Sequence, residues 1–231
     1  MRPMARQPEM IVSGPAALGF AEAFRLQEQL RDECIASGGL RNHLLLVVHP
    51  HTITIGRSGS GGDVLAAREG LTALGVEVIE TNRGGEVTYH GPGQLVAYPI
   101  IDLSRRGRDL HRYLRDLEAW LVRVCRGYGV EAGTNPPHTG VWVEERKIAS
   151  IGIAVRRWVA YHGAALNVST DLSYFDLIVP CGLRGVRMTS LERELGRAPA
   201  LEDVAEHAAK CFAEDFGIRL ERTQCEALET A

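Results

Sequence analysis

The sequence has few cysteines, and their spacing does not suggest a metal site or a disulfide framework. The five are Cys34, Cys125, Cys181, Cys211 and Cys225, an odd and widely scattered set without a CxxC pair. No apolar stretch approaches the ~20 residues needed to cross a bilayer. No apolar core follows the two arginines near the start of the chain, so no secretory signal is predicted. These absences predict reduced thiols in a cytoplasmic protein.

Excess charge is also lacking. The net charge is −3 over 231 residues, which argues against a nucleic-acid binder with a basic domain. Hydrophobic residues make up 45% and charged residues 24%, as in ordinary soluble proteins. Neither an internal repeat nor a low-complexity segment is present. The length fits one large domain with a substantial core.

Apolar periodicity alternates between helical and strand patterns along the chain. The pattern predicts helices at 17–36, 63–74, 110–128 and near 201–212, with Asp63 as the N-cap of the second. It predicts strands at 44–48, 52–55, 76–80, 95–101, 140–143, 147–155 and 161–168. The helix at 110–128 has the clearest 3.6-residue period, so Cys125 is predicted to pack in the core. Together these elements predict an α/β (α+β) fold.

Cys181 ends an apolar run, Phe175 to Cys181, between Pro180 and Gly182. The proline restricts the backbone on one side, and the glycine permits close approach of a second backbone or a ligand on the other. This arrangement suits a nucleophile that is held still and reached by a large substrate. A buried cysteine acting as a small hydrophobe is the alternative.

Residues 81–94, Thr-Asn-Arg-Gly-Gly-Glu-Val-Thr-Tyr-His-Gly-Pro-Gly-Gln, are rich in glycine, with Arg83 and His90 beside the glycines. Such a loop exposes backbone N–H donors to a ligand, and it is equally consistent with a β-turn. It matches neither the Walker pattern nor GxGxxG.

Two strand patterns carry further candidates. Lys147 opens the apolar strand around Gly152, where a glycine often marks close approach by a ligand or backbone, although a lysine at a strand start is usually solvated. Small residues at 163–165 leave room for an apolar tunnel or for a packed helix.

Four blocks in this order, RGGEVTYHGPGQLVAYPI, KIASIGIAV, HGAALNV and FDLIVPCGL, resemble the lipoyl(octanoyl) transferase family. The resemblance is strongest over residues 49–195, and MTSLERELG after the cysteine also fits. One departure is Ala164, where the family pattern has a larger apolar residue, and it bears on the preferred acyl-chain length. The resemblance implies a single octanoyltransferase catalytic domain over residues 1–231.

The resemblance also implies a fold and a reaction. The fold is a mixed β-sheet with packed helices, as in the catalytic domains of biotin protein ligase and lipoate ligase. The reaction moves the octanoyl group from octanoyl-acyl carrier protein to one lysine of a lipoyl domain, in 2-oxoacid dehydrogenase E2 subunits and in glycine-cleavage H protein. It implies no cofactor and no metal, and neither nucleic acid nor membrane as a partner.

The site residues carried over from the family form two groups. Cys181 is the nucleophile that becomes an octanoyl thioester, and Lys147 is its partner, because a nearby ammonium favours the reactive thiolate. Lys147 would then take a proton from the incoming target lysine. The residues implied to hold the acyl group are Arg83, Gly84, Gly85, Glu86, Val87, Thr88, Tyr89, His90, Ser150, Ile151, Gly152, Gly163, Ala164 and Ala165.

Two other functions are considered. An ATP-dependent lipoate or biotin ligase shares the fold and the acceptor, but it forms an acyl-adenylate and needs no nucleophilic cysteine. A non-catalytic module that binds lipoyl domains would have no need of both Lys147 and Cys181. Activity that requires ATP would distinguish a ligase from the transferase. Acylation of Cys181 would distinguish the transferase from a non-catalytic binding module.

Overall fold

Residues 8–183 and 185–222 are described by a computed structural model, and Cys225 lies outside them. The helices are α1 (Phe20–Ala36), α2 (Arg68–Ala73), α3 (Leu110–Gly127), α4 (Leu191–Leu195) and α5 (Leu201–Phe216). The strands are β1 (Glu9–Ala17), β2 (Arg41–Val48), β3 (Thr52–Ile55), β4 (Glu77–Glu80), β5 (Val87–His90), β6 (Gln94–Asp102), β7 (Gly133–Asn135), β8 (His138–Val143), β9 (Arg146–Arg156), β10 (Val159–Asn167), β11 (Arg187–Met188) and β12 (Arg219–Arg222).

The larger sheet is mixed, as the resemblance implies. Within the described residues its strand order is β12-β1-β2-β6-β10-β9-β8-β7, and β11 pairs with β9 beside Lys147. Along this order, β12, β1 and β2 are parallel to one another. From β2 onward, each adjacent pair is antiparallel: β2 with β6, β6 with β10, β10 with β9, β9 with β8 and β8 with β7. The functional candidates on β9 and β10 therefore lie on two adjacent antiparallel strands.

Both faces of the larger sheet are covered by helices. Leu44 and Leu46 of β2 join the core under α3 and α5, while Leu45 and Val47 join the core under α1. Because successive strand residues point to opposite faces, burial on both sides requires a continuous apolar run. The Leu44–Val48 run therefore marks a central strand, and the prediction of a strand there is confirmed.

The long helix α3 begins and packs as its pattern predicts. The Asp109 carboxylate accepts from the backbone N–H of Arg112 at the helix start. Trp120 donates from Nε1 to the Ala208 carbonyl of α5 at 2.9 Å, which ties the two helices together. Cys125 is completely buried in the core below them, so the prediction that this thiol packs in the core is confirmed.

A smaller sheet, with the order β4-β3-β5, sits beside the larger one. Its apolar residues share a core with the segment 172–178, which leads into the Cys181 turn. The strand β5 lies within residues 81–94, so part of that segment is a buried strand rather than only a turn. The smaller sheet thereby holds the glycine-rich segment against the Cys181 turn.

The predicted helix over 63–74 is wrong in its first half. Only Arg68–Ala73 is α-helical, and Gly61–Asp63 forms a single 3-10 turn. Val64 pairs with Ile178 as an isolated bridge, and the Leu65 N–H donates to the Leu177 carbonyl at 2.8 Å. These long-range bonds hold the chain extended and override its local helical pattern. Asp63 is not the N-cap, because its carboxylate instead accepts from the Ser60 N–H at 3.1 Å.

Among the described residues, no helix has both the length and the apolar character needed to span a membrane.

Candidate active site

Lys147 and Cys181 meet, although 34 residues separate them in the sequence. The Lys147 Nζ lies 3.0 Å from the Cys181 Sγ. Lys147 is the second residue of β9, and β11 pairs alongside it in parallel. Cys181 lies in the 3-10 turn Pro180–Gly182 that precedes β11. The sheet thus positions the amine and a tight turn positions the thiol.

The Cys181 backbone adopts a left-handed conformation with φ 53°. Residues other than glycine seldom adopt this region, and such outliers concentrate at functional sites. The turn is anchored just before it, where the Val179 N–H donates to the Asp63 carbonyl at 2.7 Å. A Cβ on Gly182 would lie 3.4 Å from the Glu86 side chain. That distance is an ordinary van der Waals contact, so it is the left-handed backbone of Gly182, with φ 65°, that favours glycine here rather than a lack of space.

Lys147 is buried, so the alternative that it is a solvated strand-end residue is excluded. Its Nζ lies 5.4 Å from the centre of the Trp142 ring. Across the described part of the chain, no carboxylate forms an ion pair with it. A single buried charge without a partner is costly. If Lys147 and Cys181 share one proton, they are either an ammonium–thiolate pair or a neutral amine and thiol, and neither state leaves one unpaired charge. The thiol is thus the natural partner of this amine.

Gly140 on β8 makes room for the Lys147 side chain. A Cβ at this position would lie 2.6 Å from the Lys147 Cε and 2.7 Å from the Ala149 carbonyl oxygen. The Gly140 N–H donates at 2.9 Å to the carboxylate of Glu118, a buried residue of α3. Helix α3 therefore fixes the backbone segment against which Lys147 lies.

We expect Gly140→Ala to lower the rate of the acyl transfer that the resemblance implies by roughly 10- to 100-fold, because the new methyl group displaces the Lys147 amine from the thiol. A steady-state transfer assay measures this. Gly129→Ala is the matched control, since Gly129 also has positive φ, 81°, but has no neighbour within 4 Å of a new Cβ. Equal activity losses in the two variants would show that backbone strain, rather than displacement of Lys147, is responsible.

A cavity of about 360 Å³ opens beside the Lys147–Cys181 pair. It brings together all but one of the residues predicted to hold the acyl group. Those lining it are Arg83, Gly84, Gly85, Glu86, Val87, Thr88, His90, Ser150, Ile151, Gly152, Gly163, Ala164 and Ala165. Tyr89 is the exception: its side chain points into the core of the smaller sheet, where its hydroxyl bonds to the His51 Nδ1 at 2.7 Å.

Arg83 anchors the glycine-rich segment and carries charge into the site. Its buried guanidinium donates to the Thr54 carbonyl at 2.7 Å and to the Glu86 carbonyl at 2.8 Å. Burial lowers the pKa of Arg83, and the charge of a thiolate at Cys181 would raise it. The attraction is mutual, so Arg83 is a second cation that favours the thiolate.

Two glycines allow the backbone segments at the cavity to approach each other. Gly152 of β9 pairs with Gly163 of β10. A Cβ on Gly152 would lie 2.7 Å from the Gly84 carbonyl oxygen, and the Gly84 N–H donates to the Ile153 carbonyl at 2.8 Å. The prediction of close backbone approach at Gly152 is confirmed, and the partner is the glycine-rich segment.

Sequence reasoning missed several residues that line the cavity. Those not predicted are Phe20, Val96, Tyr98, Leu114, Pro137, His138, Thr139, Ile153, His162 and Leu183. Because side chains alternate along a strand, Val96 and Tyr98 of β6 lie on the same face, and this pattern could have predicted that the two line one surface together. No sequence pattern indicated that the first turn of α1 would bring Phe20 to the cavity.

Three buried histidines, His49, His90 and His162, lie at or behind the inner part of the cavity. The His49 Nε2 bonds to the Tyr98 hydroxyl at 2.7 Å, and the His90 Nδ1 bonds to the Gln94 Oε1 at 2.8 Å. Burial lowers the pKa of His49 to about 4, that of His162 to about 3, and that of His90 well below its usual value. All three are neutral at physiological pH.

We expect the protein to lose stability on acidification below about pH 6.5, because these histidines bind protons only after unfolding. Their pKa values are lowered in the folded state, so none of this stability is lost above about pH 6.5, and the loss grows as the pH falls to about 4 for His49, to about 3 for His162 and further for His90. The loss is on the order of 3 kcal/mol or more. Urea unfolding at pH 7.5 and pH 4.5 measures it. An unchanged midpoint would contradict the burial of neutral imidazoles, and His49→Gln should reduce the difference.

Within the described residues, no group of three or more His, Cys, Asp or Glu side chains is arranged to hold a metal ion.

Comparison with known families decides the classification. The model of the lipoyl protein ligase A/B catalytic domain matches residues 20–213. The chain belongs to this family. The octanoyltransferase of Citrifermentans bemidjiense is 50% identical over 213 residues, covering 92% of this chain and 100% of that protein. The octanoyltransferase of Rubrobacter xylanophilus is 48% identical over 205 residues, covering 88% and 91%. The protein is an acyltransferase that acts in octanoyl or lipoyl transfer.

Solved structures show the same fold. A lipoate-protein ligase A bound with ATP superposes with a TM-score of 0.72 at 18% identity, covering 97% of this chain and 92% of that chain. A putative lipoate protein ligase from T. acidophilum gives 0.71 at 17%, covering 94% and 88%. The biotin protein ligase from Aquifex aeolicus in complex with biotin and ATP gives 0.54 at 13%, covering 90% and 70%. The predicted fold family is confirmed.

Proposed function

We propose that the protein transfers the octanoyl group of octanoyl-acyl carrier protein to a lysine of a lipoyl domain, through a thioester on Cys181. The observation that carries this proposal is the 3.0 Å contact between the Lys147 Nζ and the Cys181 Sγ at the edge of an acyl-sized cavity. The acceptors expected are the lipoyl domains of 2-oxoacid dehydrogenase E2 subunits and glycine-cleavage H protein.

In the first half-reaction, the Cys181 thiolate attacks the thioester carbonyl carbon. A new carbon–sulfur bond forms to Cys181, the bond to the carrier breaks, and the departing carrier thiolate takes a proton from the Lys147 ammonium, which leaves Lys147 neutral. The positive charges of Lys147 and Arg83 favour the attacking thiolate. Cys181 is half-buried, so a carrier-borne thioester reaches it from the cavity mouth.

In the second half-reaction, the target lysine attacks the octanoyl-Cys181 carbonyl as a neutral amine. The amide bond forms and the Cys181 thiolate leaves. The proton lost by the amine passes to Lys147 acting as the base, which requires Lys147 to be neutral at that stage. The buried position of Lys147 beside the thiol suits this role.

The tetrahedral intermediate of each half-reaction needs donors for its oxyanion. Of the two glycines in the Gly84–Gly85 pair, the Gly84 N–H already donates to the Ile153 carbonyl at 2.8 Å. No hydrogen bond within the described residues occupies the Gly85 N–H, and Gly85 lines the cavity. We therefore assign the oxyanion contact to Gly85 rather than to Gly84.

The octanoyl chain would occupy the cavity between β9, β10 and the glycine-rich segment. Burying the chain supplies roughly 0.8 kcal/mol for each CH₂ group. Ile151, Ile153 and Val96 form apolar wall, and Ala164 leaves more room than a larger residue would. A cavity that fits an apolar chain supports acyl binding. A ligase that activates free lipoate would need such a cavity too, so this feature does not distinguish the two functions.

The alternative of an ATP-dependent ligase is tested with two assays on the same protein. In the first, octanoyl-acyl carrier protein and a lipoyl domain are mixed without ATP. In the second, free octanoate, ATP and the lipoyl domain are mixed. We expect octanoylated lipoyl domain in the first mixture alone. Product in the second mixture alone would contradict the transferase and support a ligase.

A further inference from the structure

The pairing of β8 with β9 is irregular next to Lys147. Val141 of β8 pairs with Ala149 of β9. The next residue of β8, Trp142, pairs with Lys147. Ile148 is therefore an extra residue on β9 without a partner of its own on β8, which makes this position a β-bulge. Bulges change the direction of nearby side chains and are frequent beside active sites.

The bulge determines the face of the sheet on which Lys147 lies. Ile148 and Ala149 are consecutive, yet both are buried in the core under α3 and α5. In a regular strand, Lys147 would share that face with Ala149, because side chains alternate. The extra residue places Lys147 on the other face, where its Nζ lies 5.4 Å from the ring centre of Trp142, its partner on β8. On that face the amine meets the Cys181 Sγ at 3.0 Å.

A buried carboxylate of α3 holds β8 just before this bulge. Among the described residues, Glu118 is the only buried carboxylate. Its Oε1 accepts from the Gly140 N–H at 2.9 Å, one residue before the pairing changes register. Its Oε2 lies 2.8 Å from the Arg115 Nη1, in an ion pair without the geometry of a hydrogen bond. Glutamate is seldom fully buried unless it is paired, so these two partners account for its position.

The segment that Glu118 holds is in contact with both the amine and the cavity. A Cβ on Gly140 would lie 2.6 Å from the Lys147 Cε and 3.2 Å from its Nζ. The three residues before Gly140, Pro137 to Thr139, line the cavity. Leu114, one helical turn before Glu118 on α3, lines it as well. A shift of this segment would therefore move the surface against which the lysine lies.

We infer that Glu118 is a positioning residue for acyl transfer, because its hydrogen bond to Gly140 holds the bulge that aims the Lys147 amine at Cys181. The inference rests on the proposed function, in which Lys147 and Cys181 carry the chemistry. Glu118 does not line the cavity, so it acts through the backbone of β8. What the site needs from it is an acceptor oxygen at the correct distance, and the charge is secondary.

Three substitutions of Glu118 separate the acceptor from the charge. Glu118→Gln keeps the length and an acceptor oxygen but removes the charge. Glu118→Met keeps the length but removes the acceptor, and Glu118→Asp keeps the charge but draws the acceptor back by one methylene group. We expect Glu118→Gln to transfer within about 3-fold of the wild-type rate. The other two should lose roughly 10- to 100-fold in kcat with little change in KM for the donor, because the displaced amine acts in the chemistry.

Alkylation of Cys181 by iodoacetamide, measured against pH, reports on the amine without any acyl substrate. Displacement of Lys147 weakens the field that favours the thiolate, so the profiles of Glu118→Met and Glu118→Asp should move to higher pH. Glu118→Gln should keep the wild-type profile. Trp120→Phe is the matched control, since it removes a buried hydrogen bond of the same helix, 2.9 Å long, to the Ala208 carbonyl. It should lower the urea midpoint and leave the profile unchanged.

Wild-type pH profiles in Glu118→Met and Glu118→Asp would overturn the inference and leave Glu118 with a structural role only. A loss in Glu118→Gln as large as that in Glu118→Met would also overturn it, because the charge would then be responsible. If Glu118→Met does not fold, the comparison of Glu118→Gln with Glu118→Asp decides alone.

The proposed function fails in a different way. Wild-type alkylation and transfer in Lys147→Ala would contradict the pairing of the amine with the thiol, whatever the Glu118 variants do. Slow alkylation and transfer in Lys147→Ala, together with wild-type behaviour in both Glu118→Met and Glu118→Asp, would leave the proposed function standing and remove the role of Glu118 alone.

Discussion

Cys181→Ala is expected to abolish octanoyl transfer, with a loss on the order of 10³-fold or more, because no atom remains to carry the acyl group. Cys181→Ser should lose roughly 10²-fold or more, since a hydroxyl is far harder to ionise than a thiol. The turn should survive both changes, because each removes or replaces one atom at a half-buried position. Transfer is measured at saturating donor and acceptor, and folding is checked by the urea midpoint.

The other described cysteines supply matched controls. Burial raises the pKa of Cys34 and of Cys125 to about 12, and it also raises the pKa of Cys211. These thiols are protonated at neutral pH, so iodoacetamide should modify Cys181 much faster than any of them. Cys34→Ala and Cys211→Ala should retain activity. Near wild-type turnover in either Cys181 variant would refute covalent catalysis.

Lys147→Ala is expected to slow transfer by roughly 10²- to 10⁴-fold, because both of the proposed half-reactions use this amine. It should also slow alkylation of Cys181 at neutral pH, since the nearby cation that favours the thiolate is gone. Lys147→Arg keeps a positive charge but cannot become a neutral base. It should therefore partly retain the first acylation and fail at delivery to the target lysine. Single-turnover assays of each half-reaction separate these outcomes.

A packing control is needed because Lys147 is buried. Lys147→Met has a similar shape without the charge, so it should retain more stability than Lys147→Ala while remaining as inactive. Wild-type alkylation and wild-type rates of both half-reactions in Lys147→Met would show that the 3.0 Å contact has no role in the chemistry.

Much of the site follows from the sequence because its blocks are short and contiguous. The local patterns alone left Lys147, Cys181 and the glycine-rich and small-residue segments open between a functional and a structural role. The resemblance to a known family predicted them as one site, and the structure brings them to one cavity. The strand β2 is predictable for a similar reason, since an unbroken apolar run indicates a strand covered on both faces. Cys125 is predictable because the periodicity of α3 is strong.

The errors arise where contacts distant in sequence determine local structure. Residues 64–66 look helical but are held extended by hydrogen bonds to Leu177 and by the bridge to Ile178. Tyr89 stands among cavity residues in the sequence, yet strand alternation turns its ring into the core of the smaller sheet. The backbone of His162 is left-handed, with φ 57°, and is held by Gln27 and Phe24 of α1, so no local pattern reveals it.

The most direct test of a covalent acyl-enzyme is the intact mass of the protein after mixing with octanoyl-acyl carrier protein, without ATP and without acceptor. We predict a gain of one octanoyl group on the wild-type protein, located at Cys181 by peptide mapping. Addition of a lipoyl domain should then remove that group and deliver it to the acceptor lysine. Cys181→Ala should show no gain. An unmodified wild-type protein that still transfers octanoyl to the lipoyl domain would contradict the thioester intermediate.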